Sequence, residues 1–283
     1  MEYVDLHIHT TASDSTFTPE EVVRLAVKLG FRAIAITDHD TTLGIAAAQR
    51  EGEETGLEVL PGIELTIEHN DREMHLLGYG IQPNDAALLK TLAHLREVRR
   101  QRVIKMAQLL EDLGAKIDVE RVLHQSQKDG ALGRLHVANE LVRLGHSHSI
   151  EHAMNKYLRK GRPAFVQKLT FTPAEGIRLI RQAGGVTALA HPGMGKMDQY
   201  LLELMRAGLQ GLEVYHPNHT PDQTKHYLAL AKKHGLLITG GSDDHGHAKE
   251  EVLLGKIRLD YVHYETLKSY IQDAPRRLHS QVN

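Results

Sequence analysis

Residues 3–10 read Tyr3-Val4-Asp5-Leu6-His7-Ile8-His9-Thr10, a short apolar strand that ends in two histidines one residue apart. Successive strand residues point to opposite faces, so His7 and His9 share one face while Leu6 and Ile8 take the other. Downstream, Thr18-Pro19-Glu20-Glu21 predicts a helix start: a capping Thr, Pro at the first helical position and acids in the first turn. That helix runs to about Gly30. Residues 32–37 then predict a buried strand and 42–55 a second helix.

The same alternation organises most of the chain. Residues 57–67 and 73–80 read as strands joined by a turn at Asn70-Asp71. Residues 85–113 carry one long amphipathic helical pattern, with shorter ones near 118–126, 131–144 and 149–158 and no strand among them. After Gly161-Arg162-Pro163 the alternation returns, with helices over 173–183, 198–207 and 222–234 and strands over 186–190, 211–215 and 236–241. A strand near 252–258 and a helix at 264–272 close the chain. Repeated βα units predict an α/β fold with a mainly parallel sheet or barrel, buried on both faces. The helical block reads as an insertion, giving a barrel of residues 1–83 and 161–283 and an insertion of residues 84–160.

Composition narrows the function. The chain has 283 residues, with 34 Lys and Arg against 36 Asp and Glu, as in a globular protein of one large domain or two modest ones. No apolar run approaches the roughly 18 residues of a membrane span, and the N-terminus does not read as a secretory signal. There is no Cys, which excludes disulfides, thiolate zinc sites and a cysteine nucleophile and fits a cytoplasmic setting. Low aromatic content (5%) disfavours a dedicated nucleic-acid binder. Residues 85–160 hold 14 Lys and Arg against 9 Asp and Glu, leaving 20 against 27 elsewhere. A basic insertion over an acidic body suits an anionic substrate held beside cations, although an ordinary solvated helix surface has the same composition.

The unusual number is 20 His. In parallel βα architectures functional residues gather at the carboxyl ends of strands. His7 and His9 end the first strand, Asp38 and His39 follow the second, and Glu64 ends the third. The fourth carries His75. His191 follows strand 186–190, Glu213 and His216 close strand 211–215, and Asp243, Asp244 and His245 follow strand 236–241. Imidazole with carboxylate suits Mn, Fe or Zn as divalent ions. The donors outnumber the three or four that one ion needs, so two or three ions sharing a carboxylate is the economical arrangement. Burying this many His and carboxylates without cations would be costly. Asp38 could join this rim or serve only to orient His39, and Glu213 could join it or be a structural carboxylate that bonds backbone amides. His94, His124 and His263, each isolated, read as surface or packing residues.

These motifs, His7-Ile8-His9, Thr37-Asp38-His39, Gly62-Ile63-Glu64, His75, Ala190-His191-Pro192 and Gly241-Ser242-Asp243-Asp244-His245, resemble the PHP (polymerase and histidinol phosphatase) family of metal-dependent phosphoesterases, in family order. The resemblance implies a distorted (β/α)7 barrel with a trinuclear metal site. It assigns His7, His9, Glu64 and Asp243 to one metal, Glu64, His75 and His191 to a second, and Asp14, His39 and His245 to a third. Histidinol phosphatases and many polymerase-associated members usually have His where this chain has Asp14. Within the insertion, Gly133-Arg134-Leu135-His136-Val137-Ala138 is similar to the Gly-Arg-Pro-His-x-Ala motif of a nucleotide-directed subgroup, with Leu135 in place of Pro. That subgroup removes the 3′-phosphate of nucleoside 3′,5′-bisphosphates, and some members trim short RNA from the 5′ end. The resemblance implies that Arg134 and His136 reach the substrate phosphate from an insertion capping the active site.

The function expected is hydrolysis of nucleotide phosphate esters by a hydroxide that clustered cations generate near neutral pH. Catalysis would rest on Arg134, His136, His191 and Asp243, and phosphate contact on Arg134, His136 and His216. His219 could likewise contact substrate or orient a neighbour. One alternative is a small-metabolite phosphatase of the histidinol-phosphate type. The other is a nucleic-acid-binding or polymerase-accessory module whose metal site is not catalytic. The expected partner is a nucleotide or short oligonucleotide, with no membrane and no obligate protein partner.

Overall fold

The computed structural model describes residues 2–70, 72–125, 132–167, 171–249 and 251–280, with the main chain alone at 125 and 274–280. The chain divides into two compact units, one of Met1–Leu89 with Phe171–Asn283, the other of Lys90–Thr170.

The first unit opens with β1 (Tyr3–Ile8), α1 (Pro19–Lys28), β2 (Ala33–Ile36), α2 (Ile45–Thr55), β3 (Glu58–His69) and β4 (Arg72–Tyr79). The helix α3 (Ala86–Asp112) leads into the second unit, which continues with α4 (Val119–Gln125), α5 (Arg134–Arg143), α6 (Ile150–Ala153) and a π-helical turn over Met154–Leu158. The first unit resumes with α7 (Pro173–Gln182), β5 (Val186–Leu189), α8 (Leu201–Ala207), β6 (Gly211–Tyr215), α9 (Pro221–His234), β7 (Leu237–Gly240), β8 (Leu259–Asp260) and α10 (Tyr261–Ser280).

Eight strands form one sheet in the order β7-β6-β5-β4-β3-β2-β1-β8. Beyond β7 the chain comes back to β1: the Asp243 N–H donates to His7 O at 2.8 Å and the His9 N–H to Asp244 O at 3.1 Å. Strands β1–β7 therefore curl into a nearly closed, distorted barrel, with β8 as a short outer edge. The expected α/β barrel is present, but its sheet is more mixed than βα repetition alone predicts. The β1–β2, β2–β3, β5–β6 and β6–β7 pairs are parallel, while β3–β4, β4–β5 and β1–β8 are antiparallel. The β3–β4 hairpin reverses the chain directly, with Glu64 opposite Leu77, so no crossover helix separates the two strands.

The strand expected at 252–258 is absent. Its apolar run spends its donors on a side chain instead, because the Leu253 and Leu254 N–H groups both bond Asp244 Oδ1, at 2.6 and 3.1 Å. A turn from Lys256 N–H to Leu253 O and a left-handed Gly255 at φ 96 follow. The strand is displaced to the two residues of β8.

Three helices begin with the same device. Thr18, Thr172 and Thr220 each cap the N–H three residues on, each has Pro next, and Glu21, Glu175 or Gln223 returns to the cap N–H. Val4, Leu6, Ala33, Ala35, Leu77 and Tyr79 belong to one buried cluster that includes Tyr264 and Leu267 of α10. The second unit has its own core, in which Val103, Met106 and Leu110 of α3 pack with Val137, Ala138 and Leu141 of α5. There Glu140, nearly fully buried, is paired with Arg143 and Arg121. Among the described residues no helix is long and apolar enough to cross a membrane.

Candidate metal centre

The alternation of β1 turns Asp5, His7 and His9 to one side, and all three are fully buried. Glu64 lies within β3, which runs on to His69, and it is fully buried as well. Its two oxygens form a hub. Oε2 lies 3.2 Å from each of His7 Nε2, His9 Nε2 and His39 Nδ1. Oε1 lies 2.8 Å from His75 Nδ1 and 3.0 Å from His191 Nε2. One carboxylate thus faces imidazoles delivered by β1, β4 and the segments after β2 and β5.

Asp243 extends the hub. Its Oδ1 is 3.1 Å from His9 Nε2 and 3.5 Å from His7 Nε2, and its Oδ2 is 3.5 Å from His216 Nε2. Asp14 faces His245 Nε2 at 3.3 Å, His9 Nδ1 at 3.7 Å and His39 Nε2 at 3.8 Å. Among the described residues three donor groups gather closely enough to hold an ion: His7, His9, Glu64 and Asp243; His9, Asp14, His39 and His245; and His39, Glu64 and His75. All nine residues singled out as metal donors in the sequence stand around this centre. The structure groups His39 and His75 with Glu64 and brings His191 to the same carboxylate. Arg134 and His136 occupy the first turn of α5 in the second unit, where the Arg134 guanidinium lies 5.9 Å from the Phe165 ring.

The donor set fits divalent cations better than it fits protons. His7 Nε2, His9 Nδ1, His39 Nδ1, His75 Nδ1 and Glu64 Oε2 are buried and make no hydrogen bond, although nitrogen and carboxylate oxygen face each other. Burial opposes charge on every one of these groups. Against it, the hydrogen bond to Asp243 and the facing carboxylates of Glu64 and Asp14 raise His9 to about 10. Glu64 and Glu73 likewise raise His75 to about 10. His39 falls to about 4, through burial and then the neighbouring His9 and His75, which outweigh the pull of Glu64 and Asp14. Facing histidines hold Glu64, Asp243 and Asp14 below the usual carboxylate range in spite of their burial. Three ionised carboxylates among crowded imidazoles form a site that favours positive charge, and nitrogen with oxygen donors suits Mn, Fe or Zn.

Outer contacts aim these donors. Glu213 Oε1 lies 2.9 Å from His7 Nδ1, and its Oε2 accepts the His191 N–H at 2.6 Å. His245 Nδ1 lies 2.8 Å from the Asp243 carbonyl, which can only accept, so Nε2 is left to face Asp14. Asp38, expected beside His39, instead accepts from the Thr10 N–H, the Thr10 hydroxyl and the Ser13 hydroxyl at 2.6–2.8 Å. It fixes the loop that carries Asp14. Three non-glycine residues here have a left-handed backbone, Asp40 (φ 51), His191 (φ 26) and Asp243 (φ 52), strain of a kind that gathers at functional sites.

Nothing in the sequence marks Lys249, whose Nζ lies 2.9 Å from Asp243 Oδ2 and 3.2 Å from the Asp243 carbonyl. No spacing rule announces a lysine in an irregular loop. Its nearness to Asp243 follows from the way Asp244 gathers that loop.

Comparison with known proteins agrees with this geometry. The family model described as PHP domain matches residues 5–159. The chain is 32% identical to a 3′,5′-nucleoside bisphosphate phosphatase of Chromobacterium violaceum, over 87% of this chain and 88% of that protein. It is 32% identical to a phosphoribosyl 1,2-cyclic phosphate 1,2-diphosphodiesterase of Eggerthella lenta, over 86% and 94%. It is also 34% identical to a 5′-3′ exoribonuclease of Escherichia coli, over 85% and 84%. Among solved structures, a protein of Bifidobacterium adolescentis described as a metal-dependent phosphoesterase superposes with a TM-score of 0.77 at 32% identity, covering 94% of this chain and 95% of that one. An amidohydrolase of Chromobacterium violaceum gives a TM-score of 0.73 at 30% identity, covering 91% of each chain. A domain match over more than half the chain, three relatives matched over most of their length and named for cleaving phosphate esters, and a barrel that closes around a carboxylate–imidazole centre have one reading: this chain belongs to the PHP family and is a metal-dependent phosphoric ester hydrolase.

Proposed function

We propose that the enzyme removes the 3′-phosphate of nucleoside 3′,5′-bisphosphates and also acts on short 5′-phosphorylated RNA. The observation that carries the chemistry is Glu64, whose two oxygens face five imidazoles within 3.2 Å and so link adjoining donor groups into one centre. The choice of substrate is supported by two relatives named for nucleotide and RNA substrates and by the Gly133-Arg134-Leu135-His136-Val137-Ala138 motif.

Two or three divalent ions, manganese foremost with iron or zinc also suited, are the cofactors in this reading. Such ions make water acidic and polarise phosphoryl oxygens. His7, His9, Asp14, His39, Glu64, His75, His191, Asp243 and His245 hold them. In the reaction water adds to phosphorus, the bond from phosphorus to the ribose oxygen breaks, and that oxygen takes up a proton. Arg134 offers the phosphate a planar fork able to donate two hydrogen bonds, with His136 as a second donor. His216 is buried, its Nδ1 accepts the Asn218 N–H, and its Nε2, 3.5 Å from Asp243 Oδ2 and making no hydrogen bond, is the donor offered to a substrate oxygen.

A second reading has a specific observation behind it. The relative that acts on a cyclic sugar phosphate is as similar, at 32%, as the bisphosphate phosphatase. Turnover by the manganese-loaded enzyme on adenosine 3′,5′-bisphosphate, phosphoribosyl 1,2-cyclic phosphate, histidinol phosphate and a short 5′-phosphorylated RNA separates the readings. The proposal expects the highest kcat/KM on the bisphosphate, with detectable RNA trimming. Preference for the cyclic sugar phosphate or histidinol phosphate would overturn the nucleotide assignment and leave the phosphoesterase chemistry intact.

A further inference from the structure

His191 follows β5 with φ at 26, in the turn His191-Pro192-Gly193. A residue with a Cβ stays in that region only where its surroundings over-determine it. Glu213 holds the entry to the turn by accepting the His191 N–H. The exit is held separately. The Gly193 N–H donates to His219 Nε2 at 3.2 Å, and Gln223 Nε2 donates to Gly193 O at 3.2 Å.

The tautomer of His219 follows from its partners. Its Nδ1 lies 3.0 Å from the Val214 carbonyl, which only accepts, so Nδ1 carries the proton and Nε2 is free to accept from Gly193. Both ring nitrogens are thereby used inside the protein, and the ring is buried. The fit leaves no spare room: a Cβ on Gly193 would come within 2.7 Å of His219 Cδ2 and 2.9 Å of Gln223 Nε2. Gln223 also ties this contact to the start of α9, since its Oε1 accepts the Thr220 N–H at 2.9 Å.

We infer that His219, helped by Gln223, is a positioning residue that sets the His191 turn and so brings His191 Nε2 to Glu64, 3.0 Å away. It acts on the metal centre without touching an ion or the substrate. The inference rests on the metal-centre reading above, and its test separates the two.

The experiment uses the full chain as native protein, His219→Phe, His219→Gln and Gln223→Ala. Manganese affinity is measured by competition with a chelator, exchange of the Gly193 amide is followed in metal-free protein, and kcat and KM are determined. Phe keeps the ring's bulk and loses both hydrogen bonds, whereas Gln restores an acceptor for Gly193. Replacing a residue that orients a metal ligand costs about 10–100-fold in metal affinity or activity. His219→Phe should therefore weaken one class of manganese site by about 10–100-fold, speed Gly193 exchange, and lower kcat with little change in KM. His219→Gln should recover most of the loss, and Gln223→Ala should show a smaller loss in the same direction.

A folded His219→Phe with native affinity and native Gly193 protection would overturn the inference. If that variant does not fold, Gln223→Ala decides, since its partly buried side chain leaves the core intact, and native behaviour there would overturn it. Native protein that binds no manganese would sink the metal-centre reading instead. The Gly193 exchange rates, taken without metal, would still judge the clamp.

Discussion

Glu213 supports His7 from behind: its Oε1 lies 2.9 Å from His7 Nδ1, with both side chains fully buried, while its second oxygen accepts the His191 N–H. A carboxylate behind a histidine fixes the tautomer and strengthens the outward nitrogen as a ligand. Glu213 does this for His7 and positions the backbone of His191, so two donors to the centre depend on one side chain. In Glu213→Gln an amide NH2 faces at least one of two N–H donors. The variant should bind manganese about 10–100-fold more weakly at equal stability of the fold, measured by chelator competition and far-ultraviolet circular dichroism. Unchanged affinity would contradict this role.

Asp14 belongs to one donor group and Glu64 to two. Asp14→Ala should accordingly lower the metal content by about one ion per chain, counted against the native protein by elemental analysis after dialysis. Glu64→Ala should empty most of the centre. Equal losses in the two variants would mean that the groups fill as a single unit.

Acidity should reveal the same centre in metal-free protein. His9 and His75 are raised to about 10 by Glu64 and its carboxylate neighbours. A raised histidine stabilises the fold fully below its unfolded value, near 6.5, and that contribution is lost as pH rises toward 10. His39, lowered to about 4 by burial, works the other way, destabilising the fold as pH falls from about 6.5 to 4. The melting temperature of metal-free protein should thus decline from pH 7 to 9.5, and the stabilisation by added manganese should grow over the same range. A melting temperature flat with pH, with and without manganese, would contradict the charge balance described.

Arg134 carries the phosphate-binding part of the proposal. A hydrogen bond to a charged group contributes about 1.5–3 kcal/mol, so Arg134→Ala should lower kcat/KM on adenosine 3′,5′-bisphosphate roughly 10- to 100-fold, chiefly through KM. His136→Ala should act in the same direction. If initial rates at low substrate are unchanged in Arg134→Ala, the arginine has no phosphate to bind.

Much of this was legible in the chain because strand ends and ligand chemistry coincide. His7, His9, His39, His191, Asp243 and His245 each close or follow a short apolar run, and period-two alternation alone places His7 with His9. Helix starts were equally readable, since Thr-Pro-x-Glu or Thr-Pro-x-Gln is a local signal that needs no tertiary contact. The strand expected at 252–258 failed for the opposite reason. Its backbone donors go to Asp244, and a side chain that competes with a sheet ladder leaves no periodicity to read. The outer contacts were hidden in the same way. That Glu213 serves two histidines, that Asp38 holds the Asp14 loop rather than His39, and that His219 grips Gly193 all depend on which backbone groups the barrel brings within reach.

The most direct test of the central claim is phosphate release from adenosine 3′,5′-bisphosphate as manganese is added stepwise to metal-free enzyme, with bound metal counted in the same samples and Glu64→Ala beside it. The account predicts no release without metal, activity that rises with occupancy to a plateau at two or three ions per chain, loss on adding chelator, and silence in the variant. Release that does not depend on bound manganese, or that survives in Glu64→Ala, would contradict a phosphoesterase built on this carboxylate.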